Sequence, residues 1–210
     1  RSVALGDVDG DGDLDLIAAN ANETNKLYRN DGTGDFDATS TNIGSETDTT
    51  YSVVLGDVDG DGDLDLIAGN GNQTNKLYRN DGNGGFVAFG TDIGSETDFT
   101  RGVVLGDADG DGDLDLIVGN FDQSNKLYLD DGSGGSFAAT GTAVGSETDA
   151  TAGIVLGDVD GDGDLDLIAG NFNQTNKLYR NNGSGVFNAT GTDVGSEFDS
   201  TWSVVLGDVD

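Results

Sequence analysis

Residues 6–17 read "GDVDGDGDLDLI". The same run returns at Gly56, at Gly106 as "GDADGDGDLDLI", and at Gly157, and a fifth copy begins at Gly207. Each complete copy packs five aspartates into nine residues. Like charges this close oppose folding unless something neutralises them, and the regular return of the motif makes that neutralisation a property of a repeating unit. The first aspartates of successive copies, Asp7, Asp57, Asp107, Asp158 and Asp208, lie 50, 50, 51 and 50 residues apart. The extra residue falls in "DGSGGSF", where the second copy has "DGNGGF", so an insertion is tolerated there and a turn is expected. The chain divides into repeats 1–50, 51–100, 101–151 and 152–201, with a partial repeat 202–210.

Around the motif each repeat carries short runs rich in aliphatic, β-branched and aromatic residues, separated by Gly, Asn and Asp clusters. In the second copy these are "YSVVLGD", "LDLIAGN", "NKLYRND" and "GFVAFGT", which predict four strands joined by tight turns. No stretch shows a 3.6-residue apolar period long enough for a helix. Thirty-six glycines and no proline suit such a chain. Four strands per 50 residues predict an all-β β-propeller built from four-stranded blades, either one propeller or a segment of a propeller array, because a lone four-stranded sheet cannot bury both faces. The partial repeat duplicates the first strand of a blade. A closed four-bladed ring has no place for that duplicate, so continuation into a longer array or self-association is expected.

Composition narrows the chemistry. The formal charge is −31, and 22 of the 40 acidic residues lie in the five loops. A surface this negative repels phosphate backbones and anionic lipid, so neither a nucleic-acid partner nor membrane insertion is expected. Adaptation to high salt accounts for scattered acids but not for fixed loop spacing. There is no cysteine and no histidine, which removes thiolate chemistry, the commonest general base and the commonest transition-metal ligand. No Ser–His or Cys–His constellation is available, and the chain is not expected to be an enzyme.

Within a loop, carboxylates at the first, third, fifth and ninth positions converge if the chain curls, and two glycines permit that. The seventh residue offers its backbone carbonyl. An all-oxygen, charged and flexible cage selects a hard cation, and calcium, with six to eight oxygens at about 2.3–2.6 Å, fits better than strictly octahedral magnesium. An EF-hand requires Glu at the twelfth position and flanking helices; here that position is Ala18 in a strand-like run.

"DVDGDGDLDLIAGN" followed by "NKLYRNDGNGGF" resembles the FG-GAP/VCBS repeats found in the β-propeller of integrin α-subunits and in many secreted bacterial proteins. The resemblance implies that the loop joins two strands of a blade and binds Ca²⁺, about one ion for each of the four complete repeats. The ligands it implies are Asp7, Asp9, Asp11 and Asp15; Asp57, Asp59, Asp61 and Asp65; Asp107, Asp109, Asp111 and Asp115; and Asp158, Asp160, Asp162 and Asp166. The carbonyls of Asp13, Asp63, Asp113 and Asp164 would complete the cages. Related propellers usually close with about seven blades, whereas this chain has four repeats. The resemblance also implies an extracellular, secreted or cell-surface setting and a role in adhesion, scaffolding or self-assembly. A lectin-like carbohydrate-binding propeller is the alternative, and an accessory domain of a secreted enzyme a more distant one.

The repeats are close to identical, so their departures are informative. The residue opening each first strand is Arg1, Tyr51, Arg101, Ala152 and Trp202 in turn. Phe99 and Phe198 stand where other copies have small residues or threonine, and Phe121 and Phe172 replace Ala21 and Gly71. A surface specialised for a protein or glycan partner would be built from Tyr51, Phe99, Arg101, Phe121, Phe172, Phe198 and Trp202; drift at exposed positions is the plainer explanation. Seven of the nine basic residues sit in two repeated places, Lys26, Lys76, Lys126 and Lys177 before "LY" and Arg29, Arg79 and Arg180 after it, where pairing with nearby acids is expected.

Overall fold

The computed structural model describes residues 1–208; Asp210, the second acidic residue of the partial fifth loop, lies outside the described residues. Sixteen strands form four separate four-stranded sheets, each an antiparallel meander in chain order. The first holds β1 (Val3–Gly6), β2 (Asp15–Ala18), β3 (Asn25–Tyr28) and β4 (Thr41–Ile43), and the second β5 (Thr50–Gly56), β6 (Asp65–Asn70), β7 (Asn75–Tyr78) and β8 (Thr91–Ile93). The third holds β9 (Thr100–Gly106), β10 (Asp115–Asn120), β11 (Asn125–Tyr128) and β12 (Thr142–Val144), and the fourth β13 (Thr151–Gly157), β14 (Asp166–Asn171), β15 (Asn176–Tyr179) and β16 (Thr192–Val194). The all-β repeat architecture expected from the sequence is present; among the described residues the four sheets do not close into a ring.

The aspartate loop connects the first two strands of each sheet. Gly6 pairs with Asp15, and Gly56, Gly106 and Gly157 pair with Asp65, Asp115 and Asp166. The ninth loop residue is therefore also the first residue of a strand, and the ladder fixes its place.

The fourth strand differs from expectation. "GFVAFGT" was the candidate in the second repeat, but the strand is Thr91–Ile93, paired with residues 75–77. The segment before it makes one backbone bond back to the sheet, from the Val87 amide to the Arg79 carbonyl. Asp81 caps the turn by accepting from the Asn83 and Gly85 amides, which bends the chain out of the extended form. Phe86 then packs on the core, while Phe89 is exposed.

Sheets stack on one another through a repeated fit of leucines on glycine. A side chain on Gly6 would collide with Leu55 and Leu64 of the next sheet. Gly56 stands in the same relation to Leu105 and Leu114, and Gly106 to Leu156 and Leu165. At Gly157 the neighbour is Leu206, and at Gly170 Thr201 and Val204. Residues 201–206 thus occupy, over the fourth sheet, the place that the first strand of each sheet takes over its predecessor, although they form no strand. Tyr78, Tyr128 and Tyr179 are buried between sheets, and Tyr78 and Tyr128 reach Glu46 and Glu96 of the preceding repeat with their hydroxyls. Tyr28, in the first sheet, is half-buried. Three apolar clusters lie at the three sheet junctions.

Candidate metal centre

The loop builds itself around its own carboxylates. Gly10 and Gly12 have φ of 74° and 95°, a left-handed backbone that costs glycine little. The curl aims amides inward: Asp7 accepts from the amides of Gly10 and Gly12 at 2.8 and 2.9 Å. Asp57, Asp107 and Asp158 repeat this pair of bonds. Asp11, Asp61, Asp111 and Asp162 each accept the amide two residues on, at 2.9–3.0 Å.

The ninth-position aspartates are buried. Asp15 receives the amides of Asn30 and Val8, Asp115 those of Asp130 and Ala108, and Asp166 those of Asn181 and Val159. Each thus ties the loop to the hairpin that follows. Burial pushes the Asp65 and Asp115 carboxyls up to about 6, despite the amide hydrogen bonds that hold them down. Asp9 and Asp109 are also raised, first by desolvation and then by neighbouring carboxylates. The site therefore stores unfavourable negative charge.

In each loop three carboxylates bring oxygens within 4.8 Å of one another: Asp7, Asp9 and Asp15; Asp57, Asp59 and Asp61; Asp107, Asp109 and Asp115; Asp158, Asp160 and Asp166. Two oxygens on opposite sides of one calcium ion are separated by about 4.6–5.2 Å, twice the bond length. Each trio is therefore tight enough to share a single ion. The remaining expected ligands, Asp11, Asp65, Asp111 and Asp162, lie in the same loops but outside these trios. Asp13, Asp63, Asp113 and Asp164 turn their carboxylates against Gly32, Gly82, Gly132 and Gly183, so their side chains serve the neighbouring turn.

The donor set fits a hard cation on a further observation. Asp9 Oδ1, Asp59 Oδ1 and Asp65 Oδ2 are buried and accept no hydrogen bond. A buried carboxylate oxygen without a partner is costly, and a cation in the loop would satisfy it. Arginine supplies part of the counter-charge: Arg29 lies 3.5 Å from Asp9, Arg79 3.1 Å from Asp59 and Arg180 2.8 Å from Asp160. Arg29 and Arg79 also donate to carbonyls of the next repeat, Asn83 and Gly134. The expected local pairing of the repeated bases is present, and it links loop to neighbour. The third repeat has Leu129 in place of arginine, and Asp109 goes without.

A second group of contacts was not read from the sequence. Asn80 donates from Nδ2 to the Val8 carbonyl of the preceding loop at 2.7 Å, and Asn181 does the same to Ala108. The "LYRN" run carries these asparagines in plain sight, but only the stacking of sheets gives them a partner 72 or 73 residues away.

The departures from the repeat also come together. Tyr51, Phe99, Phe121, Phe172 and Trp202 form a continuous chain of ring contacts with centroids 5.0–6.0 Å apart. The Arg101 guanidinium lies 4.3–5.9 Å from four of these rings. Phe198 stands apart, 73% exposed.

Four stacked repeats, each presenting a cluster of loop carboxylates that could hold a metal ion, define a repeat module. The FG-GAP-like repeat model matches at residues 7–68, 57–118, 109–169 and 158–210, and the chain belongs to that family. Among solved structures it is similar to an Agrocybe aegerita lectin described as recognising non-reducing terminal N-acetylglucosamine, at 22% identity and a TM-score of 0.65, over 94% of this chain and 53% of that one. It is also similar to BBS1N in complex with ARL6DN, at 15% identity and a TM-score of 0.60, over 93% and 57%. A third similar structure is the V. cholerae biofilm matrix protein Bap1, at 19% identity and a TM-score of 0.50, over 87% and 29%. The chain spans about half the length of the first two. No curated protein sequence matches.

Proposed function

We propose that this chain is a non-catalytic, calcium-stabilised β-propeller array that acts outside the cell or at its surface, in adhesion, scaffolding or self-assembly. The observation that carries the reading is the recurrence, at the same place in all four sheets, of three carboxylates within reach of one ion. In the proposal, calcium would be held by the loop aspartates and would supply charge neutralisation, and millimolar calcium outside cells fills even weak sites of this kind. In this reading the loop carboxylates serve as ligands rather than as an acid–base pair.

Exposed apolar residues on the outer sheets support stacking of further repeats. Val3 and Leu5 are 63% and 57% exposed, whereas their second-repeat counterparts Val53 and Leu55 belong to an inter-sheet cluster. The likeness to a biofilm matrix protein is in keeping with a scaffolding role, and the likeness to BBS1N with ARL6DN with a protein partner.

The test is thermal unfolding with and without chelator. A ligand of the folded state stabilises it by about 2.7 kcal/mol per site at a hundredfold excess over Kd, so excess EGTA should lower the melting temperature sharply. An unchanged melting curve refutes the calcium reading. A second reading, a lectin-like module, draws support from the aromatic chain Tyr51–Phe99–Phe121–Phe172–Trp202 and from the likeness to a lectin.

A further inference from the structure

We propose that the cleft where the first strands converge is a binding site for a small carboxylated ligand, held by Arg1 and Arg101. The proposal rests on the reading of the chain as a binding module and adds the ligand class.

Charge placement is the first support. Of the seven bases in the repeated places, six reach a carboxylate within 4 Å, and Lys26 donates to Asn42 and Thr24. Arg1 and Arg101 are the two bases outside the repeated pattern. Among the described residues neither reaches a carboxylate within that distance, in a chain with 40 acidic residues. Both lie over one ring, at 4.2 and 4.3 Å from the Tyr51 centroid. Both guanidiniums thus have an aromatic ring instead of an anion for company.

Geometry is the second. The two arginines, Tyr51, Trp202, Ser52 and Ser203 line part of a cleft of about 360 Å³, near the lower end of the range for small-molecule sites. Arg101 Nε is buried and donates to nothing. Arg29 and Arg79 share that lack at Nε, but each is ion-paired. Ring stacking satisfies the flat face of Arg101 and leaves its in-plane donors to be met. A carboxylate matches that planar fork with two parallel hydrogen bonds. The charge of −31 opposes a dianion more strongly than a monoanion, which favours a single carboxylate over a phosphate. Serine hydroxyls and the half-exposed Trp202 ring suit a ligand that carries its carboxylate on a ring, either a hexuronic acid or an aromatic acid.

Trp202 is the only tryptophan, so its fluorescence reports the cleft directly. Calcium-saturated protein is titrated at constant ionic strength with glucuronate against glucose, and with benzoate against benzyl alcohol. The expected result is that at least one acid binds about tenfold or more tightly than its neutral counterpart, the gain of a charge-assisted pair. Arg101→Gln should abolish that preference. Because Arg101 also packs on four rings, Arg1→Gln, at an exposed position, provides the second arm and should weaken the acid several-fold without moving the melting temperature. Preference for glucuronate assigns the site to acidic glycans, and preference for benzoate alone assigns it to aromatic acids; both uphold the carboxylate site. Equal binding of acids and neutral analogues, no binding by protein that melts as folded, or a preference that survives both substitutions overturns it. Because the titration uses calcium-loaded protein and the chelator experiment uses no ligand, the two failures are distinguishable.

Discussion

Asp130 occupies the place that Asn80 and Asn181 hold in their repeats, and replacing it by asparagine should stabilise the protein. In the second and fourth repeats the asparagine amide donates to two carbonyls: Val8 and Leu64 for Asn80, Ala108 and Leu165 for Asn181. The corresponding acceptors for the third repeat are the carbonyls of Val58 and Leu114. Asp130 is 3% exposed. Its Oδ1 accepts the Gly132 amide at 3.0 Å, and its Oδ2 is buried without a partner. A carboxylate oxygen therefore stands where a donor is required, and burial raises its pKa.

Asp130→Asn changes an acceptor into a donor without changing shape. It removes an unsatisfied buried group, worth about 1–3 kcal/mol, and adds hydrogen bonds across the sheet junction. For a chain of this size each kcal/mol moves the melting temperature by roughly 2–4 °C, so a rise of several degrees is expected at pH 7. The linkage has a definite sign. A carboxyl whose folded pKa is raised takes up protons on folding, so its penalty shrinks as pH falls through the folded value. Protonated Asp130 can itself donate to a carbonyl. The advantage of the variant should therefore be largest near neutrality and narrow on acidification, as read by calorimetry in calcium at pH 7 and pH 5. A variant that melts at or below the parent temperature at pH 7 refutes the reasoning.

Three further outcomes are expected. Asp61→Ala should reduce the calcium stoichiometry measured by titration calorimetry by one and leave the other loops close to their original affinity, because repeats interact chiefly with neighbours; loss of all binding in a folded variant contradicts this. In calcium-free protein the raised Asp65 and Asp115 carboxyls, at about 6, should make the melting temperature rise as pH is lowered from 7 toward 4, since the folded state then binds more protons than the unfolded one; a fall over that window shows that burial does not govern these groups. With calcium present the same protonation should compete with the metal, so calcium affinity should drop between pH 7 and 5; a pH-independent affinity removes these carboxylates from the ligand set.

The loops and the repeat period were legible because their chemistry is local: nine residues contain the converging carboxylates and the glycines that let them converge. The first three strands of each repeat were legible for the same reason. The fourth was not. Thr91–Ile93 is three residues long and owes its place to pairing with β7, while the more apolar run before it is bent by the Asp81 cap and spent on one half-buried ring, Phe86. Asn80, Asn181 and Asp130 were illegible for a different reason. Their partners lie in another repeat, and only the stacking of sheets reveals that one amide or carboxylate decides whether a junction is satisfied.

The two kinds of position in this chain serve opposite ends. In the aspartate loops the same carboxylates recur in all four repeats because each loop faces the same electrostatic problem. Where the first strands converge, the equivalent positions hold Arg1, Tyr51, Arg101, Ala152 and Trp202, and all five line a single cleft. Independent drift at exposed sites gives no reason for five aromatics from four repeats to touch in succession, nor for two arginines without an ion pair among the described residues to share one ring. A stack of near-identical units can acquire a unique site where residues from several units meet, and residues 1, 51, 101, 152 and 202 meet in that cleft. These positions lie apart from the aspartate loops and from the leucine-on-glycine junctions.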